Sequence, residues 1–80
     1  MTAKVNCTVS DGLMPHEKIA RIETADGKSE VVAVSSQSIQ NNKLMACEIG
    51  RSGEKVLVEL PRESASGRWR IWVKESAIGG

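Results

Sequence analysis

The chain has no tyrosine, no phenylalanine and a single histidine, and its only large aromatic side chains are Trp69 and Trp72. With two rings at most, it cannot lay out the row of stacking platforms on which a single-stranded nucleic acid is usually held. The lone histidine, His16, stands between Pro15 and Glu17 with no second histidine or paired-cysteine motif to share a zinc ion or a proton relay. It reads as an exposed loop residue. Cysteine is also scarce. Cys7 and Cys47 each sit among alternating apolar residues, the pattern of a reduced, buried, structural pair. Cys7 lacks the neighbouring base that a nucleophile needs.

Long apolar stretches are missing. The runs 31–34 and 56–58 fall far short of a membrane span, and the first residues hold no apolar segment resembling a secretory leader. A cytoplasmic protein is expected, with the Asn6-Cys7-Thr8 sequon a coincidence. A strong charge of either sign is absent too. Eleven Lys and Arg face ten Asp and Glu, so the global field selects neither nucleic acid nor an acidic substrate. No glycine-rich turn leads into a helix, so the usual phosphate cradle is missing, and nothing asks for a metal or a cofactor. These absences argue against an enzyme.

What the sequence does have is period-2 alternation, the mark of half-buried strands. Val5, Cys7 and Val9 alternate with polar neighbours. Asp26-Gly27 between two apolar runs predicts a hairpin that aligns Ile22 with Val31 and Ile19 with Val34, leaving apolar pairs on both faces and Glu23 opposite Glu30. The segment 35–42 has Ile39 as its one apolar residue and reads as a turn or one short helical turn plugging one end of the fold, with Ile39 tucked inward. Ser52-Gly53 predicts a second hairpin, with Met45, Cys47 and Ile49 facing inward opposite Leu60, Val58 and Val56. A final strand alternates Trp69, Ile71 and Val73 against Arg68, Arg70, Trp72 and Lys74, and its register sets Leu57 beside Trp72 and Glu59 beside Arg70. No internal repeat is apparent. About six short antiparallel strands in residues 1–80, with flexible ends, predict one all-β domain. An SH3-like barrel is preferred over an OB-like barrel or a compact sandwich.

The terminal Gly79-Gly80 invites a comparison with ubiquitin-like carriers. Those need a helix across the sheet, and the Ser- and Asn-rich segment 31–42 lacks the period for one. The tail reads as a flexible end.

One surface stands out. The last strand puts Trp72 on the face opposite the core, between Arg70 and Lys74. Leu57, Leu44 and Arg68 join the same outer face in the predicted registers. A tryptophan among arginines is the composition of a protein-contact hot spot. The same composition can serve a single-stranded nucleic acid. The structural alternative is that loops or residues 76–80 fold over Trp72 and make it part of the core. The sequence thus predicts a non-catalytic module that binds a protein partner or a second copy of itself around Trp72, with nucleic acid as the second reading.

Overall fold

A computed structural model describes residues 1–79. Nine strands appear among them: β1 (Thr2–Asn6), β2 (Thr8–Asp11), β3 (Glu17–Glu23), β4 (Ser29–Ser35), β5 (Ile39–Gln40), β6 (Lys43–Ser52), β7 (Lys55–Glu59), β8 (Arg70–Lys74) and β9 (Ile78–Gly79). They form two antiparallel sheets. One runs β8-β7-β6-β1-β9 with β5 also on β6; the other runs β2-β3-β4. The chain passes from one sheet to the other at Cys7, between β1 and β2. The expectation of an all-β fold holds, with two sheets enclosing one core of Val5, Ala20, Ile22, Val32, Val34, Leu44, Val56, Val58, Leu60, Ile71 and Val73.

The turns explain where the predicted registers fail. In the first hairpin the loop holds three residues. Gly27 N–H donates to the Thr24 carbonyl (3.1 Å), Thr24 N–H donates to the Lys28 carbonyl (2.9 Å), and Gly27 takes φ +82°. This is a type I turn closed by a left-handed glycine bulge rather than a two-residue turn. The extra residue slides the ladder by one position. Ala20 and Ile22 therefore join Val32 and Val34 on one buried face, and Glu23 lies opposite Ser29 instead of Glu30.

The second hairpin turns over Gly53-Glu54, with Gly53 at φ +61°, and Ser52 pairs with Lys55. A β-bulge at Ile49, between Glu48 and Gly50, then reverses the faces of everything upstream. Leu44 and Ala46 point into the core, while Met45 and Cys47 are only half-buried and Ile49 is exposed. Leu44 is thus a fully buried core residue and not part of the outer face to which the sequence assigned it. The β7–β8 register is as predicted, with Val58 opposite Ile71 and Leu57 opposite Trp72. Trp69 departs from its predicted inward position. It lies just beyond the end of β8, bonded through its carbonyl to Leu60 N–H, and is 53% exposed.

Residues 36–38 form the expected short helical turn, a 3₁₀ turn, and Ile39 packs on the core behind it. The sequence missed the hairpin that follows. Asn41 and Asn42 both take positive φ (52° and 60°), as a two-residue type I′ turn requires, and join β5 to β6. Both ends of the chain lie in the larger sheet, since β1 runs between β6 and β9. Gly79 pairs with Lys4, while Gly80 of the terminal pair lies outside the described residues. The two cysteines are free thiols, as expected, but each is half-buried rather than buried. Cys47 lies opposite Thr2, whereas Cys7 follows β1 and its N–H bonds to Asn42.

A two-fold relation organises the whole molecule. In the β1–β6 ladder Val5 faces Leu44, and a 39-residue displacement carries one onto the other. The same displacement carries Lys4 to Lys43, Val34 to Val73, and Ile39 to Ile78. It also carries the β9–β1 pairing of Ile78 with Val5 onto the β5–β6 pairing of Ile39 with Leu44. Ala20, opposite Val9 and Val32, takes the place of Val58, opposite Glu48 and Ile71. The turn Thr24-Ala25-Asp26-Gly27-Lys28 recurs as Ser64-Ala65-Ser66-Gly67-Arg68, with Gly67 at φ +87° and the same pair of backbone bonds. Each turn clasps the other half. Ala25 N–H donates to the Trp72 carbonyl (2.8 Å), and Ala65 N–H to the Val31 carbonyl (2.7 Å). The chain is therefore two copies of one strand–turn–strand unit, against the sequence reading that found no repeat.

Candidate functional site

The outer face of β7 and β8 is built by strand alternation. With Val56, Val58, Ile71 and Val73 turned inward, the opposed pairs Lys55/Lys74, Leu57/Trp72 and Glu59/Arg70 turn outward. Gly50 of β6 lies opposite Leu57. Of the residues singled out from sequence, Trp72, Leu57, Arg70 and Lys74 share this face, and Arg68 stands just ahead of β8. Leu44 is excluded by its burial. Trp72 keeps 39% of its surface exposed and Leu57 is half-buried beside it. No loop seals the ring into the core.

The clasp at Ala25 turns the face into a cleft. Because the β3–β4 loop is held to the Trp72 carbonyl, it stands as a wall beside β8. A cleft of about 340 Å³ opens between them, lined by Asp26, Lys28, Glu30, Lys55, Arg68, Arg70 and Trp72. Its acids are already engaged. Glu30 accepts hydrogen bonds from the Ser66 hydroxyl (2.6 Å) and the Ser64 hydroxyl (2.8 Å), and Arg68 Nε lies 3.7 Å away. Those hydroxyls, with help from the Arg68 charge, hold the Glu30 carboxyl below its ordinary pKa against the opposing cost of desolvation. Asp26 is likewise lowered, first by the Thr24 hydroxyl and then by the Lys28 amide. Glu59 accepts from Arg70 Nε at 3.2 Å.

The ammonium groups differ. Among the described residues Lys28, Lys55 and Lys74 are in no ion pair, and Lys55 sits directly across the ladder from Lys74. Like charges placed opposite each other oppose pairing. The surroundings of Trp72 therefore combine an apolar wall with a surplus of unpaired positive charge.

Other groups with chemical potential lie elsewhere. His16 is exposed in the β2–β3 loop. The Cys7 thiol is half-buried and donates weakly to the Asn42 carbonyl, and burial raises its pKa, which holds it protonated. No group of three His, Cys, Asp or Glu that could hold a metal ion occurs among the described residues, and no helix there is long and apolar enough to cross a membrane.

Two exposed apolar features escaped the sequence reading. Leu13 is 97% exposed and Met14 65% exposed at the tip of the β2–β3 loop. Glu17 fixes that loop by accepting from Leu13 N–H on its side chain (3.0 Å) and from Gly12 N–H on its carbonyl (3.0 Å). Trp69 lines a shallow groove with Met45, Cys47, Leu60 and Pro61. The first was legible as apolar residues inside a Gly/Pro-marked loop. The second was hidden by the bulge at Ile49. Comparison with known proteins gives no match: no family model, no curated protein and no solved structure is recognisably similar to this chain.

Proposed function

We propose that the chain is a non-catalytic binding module, and that the cleft around Trp72 receives a protein segment carrying acidic and apolar side chains. The observation that carries this reading is the difference between the two halves. Trp72 and Leu57 occupy the places that Ala33 and Ile19 occupy in the first half, where the same ladder forms with an alanine at the tryptophan's position. The fold therefore does not need a large ring there. A half-exposed tryptophan beside unpaired lysines has the composition of a protein-contact hot spot. The unpaired Lys28 and Lys55 that line the cleft favour carboxylates in that partner. A cytoplasmic setting belongs to the same proposal and is supported by the two free thiols.

A peptide library displayed on phage tests the proposal. The enriched sequences should combine Asp or Glu with an apolar anchor. Trp72→Ala should stay folded, lose about 1–2 kcal/mol of stability because the ring is only partly buried, and weaken the selected peptides at least tenfold or so. If a second copy is the occupant, the same variant should lower the solution mass from dimer to monomer. An unfolded Trp72→Ala protein, or undiminished peptide binding and unchanged mass, refutes the proposal. Binding of an oligo-dT probe that falls steeply with salt, in the absence of peptide binding, would replace it with the nucleic-acid reading.

A further inference from the structure

A second opening, larger than the Trp72 cleft, lies elsewhere on the protein. A cavity of about 610 Å³ lies where the β1–β2 corner, β3 and the 3₁₀ turn at Glu75–Ala77 meet. Asn6, Thr8, Arg21, Lys74 and Ser76 bring polar groups to its wall, and Glu23 adds one negative charge.

Arg21 is the informative residue. Its neighbours across the two ladders are Thr8 and Val31, neither of which is a carboxylate. In the second half, the residues in the places of Arg21 and Val31 are Glu59 and Arg70, and these form an ion pair at 3.2 Å. The fold can thus satisfy a charge at this position within its own sheet, yet in the first half no residue across either ladder from the guanidinium is an acid. Lys74 brings a second cation from the other sheet, where the equivalent position in the first half holds Ser35. Neither Arg21 nor Lys74 is in an ion pair among the described residues. The equivalent groove of the second half is lined by Met45, Cys47, Glu59, Pro61 and Trp69, with a carboxylate where this half has Arg21, and holds no Lys or Arg. A polar cavity here is a property of this half and not a requirement of the architecture.

We propose that this cavity binds a small molecule through a carboxylate or phosphate group. Arg21 holds the oxyanion by its forked N–H groups, Lys74 neutralises it, and the Thr8 and Ser76 hydroxyls supply further hydrogen bonds. Glu23 limits the charge the site tolerates, so removing that charge tightens binding. Thr24 lines both this cavity and the Trp72 cleft, but Thr8, Arg21 and Ser76 line this cavity and not that cleft, so Arg21→Ala tests it independently of Trp72→Ala.

The test is a titration of the isotope-labelled protein, followed by backbone amide shifts, with inorganic phosphate and with citrate at constant ionic strength. Saturable shifts should cluster at Thr8, Arg21 and residues 74–77. Arg21→Ala should weaken binding about tenfold, the effect of losing a charge-assisted hydrogen bond, and Glu23→Gln should strengthen it. Lys74→Ala serves as the second variant should Arg21→Ala not fold. A response to phosphate alone assigns the phosphate source, and a response to citrate alone assigns the carboxylate. No saturable shift with either anion, shifts that gather at Lys55 and Trp72 instead, or binding unchanged in the foldable variant overturns the proposal.

Discussion

Leu44 and Met45 offer a decisive test, because the sequence pattern and the structure assign them opposite faces. Leu44 is fully buried beside its two-fold mate Val5, whereas Met45 is half-buried on the outer side of β6. Leu44→Ala removes three carbons, roughly 2.4 kcal/mol of transfer free energy at about 0.8 kcal/mol per methylene. The void left at the centre of the sheet brings the total to about 3–4 kcal/mol. A chain of this length has about 4–12 kcal/mol in all, so the variant should sit close to the folding threshold. The melting temperature should fall by roughly 15–20 °C, at about 5 °C per kcal/mol for a domain of this size. Met45→Ala should cost less than about 1.5 kcal/mol, as befits a side chain that keeps part of its surface in water. Urea denaturation followed by far-ultraviolet circular dichroism measures both. If Met45→Ala proves the more damaging change, the bulge at Ile49 is wrong, and with it the reassignment of Leu44.

The remaining predictions use the two-fold relation and the clasping loops. Gly27 and Gly67 both hold left-handed φ in open space, so Gly27→Ala and Gly67→Ala should each cost about 1–2 kcal/mol for conformation alone, and by similar amounts. A large inequality between them in denaturant titrations would count against the equivalence of the two turns. Glu30 has its folded pKa lowered, so its stabilising effect is fully present above the ordinary carboxylate value of 4.5 and is lost as pH falls through the lower folded value. Between roughly pH 5 and pH 3, the window of carboxylate titration, the wild-type melting temperature should therefore fall more steeply than that of Glu30→Gln. Parallel curves for the two proteins would refute that role.

The fold was legible where side-chain alternation alone decides, and obscure where the backbone inserts a residue. The β7–β8 ladder needed no special turn, and its predicted pairs are the observed ones. Both flanking hairpins were misregistered because a bulge leaves the composition of a strand unchanged while reversing its faces. In the first hairpin, Asp26-Gly27 suggests a two-residue turn as readily as the three-residue loop that forms. In the second, one bulge at Ile49 moved Leu44 inward and Cys47 outward. The predicted clash of Glu23 with Glu30 was the visible trace of the first error, since in the true register Glu30 is turned to the Ser64 and Ser66 hydroxyls. The repeat was hidden for a different reason. The halves preserve buried volume and turn conformation, as in Val5 and Leu44 or Gly27 and Gly67, while little else is identical. The loops also differ in length, with 12–16 in the first half set against the tight Gly53-Glu54 turn of the second.

That near-symmetry also explains why the candidate sites can be argued at all without a relative to compare. Each half acts as the internal control for the other. Where both halves place the same kind of residue, as with Val34 and Val73 or Ile39 and Ile78, packing alone accounts for it. Where they differ at equivalent backbone positions, the architecture has tolerated both choices, so packing does not dictate either and the position is open to a binding role. Ala33 against Trp72 places an aromatic wall in one half only. Val31 and Arg21 against Arg70 and Glu59 leave the guanidinium at this position unpaired in the first half and an ion pair in the second. These departures fall on opposite halves, one beside a cationic cleft and one inside a polar cavity. A scaffold with two equivalent halves can thus present a different surface on each while keeping one core.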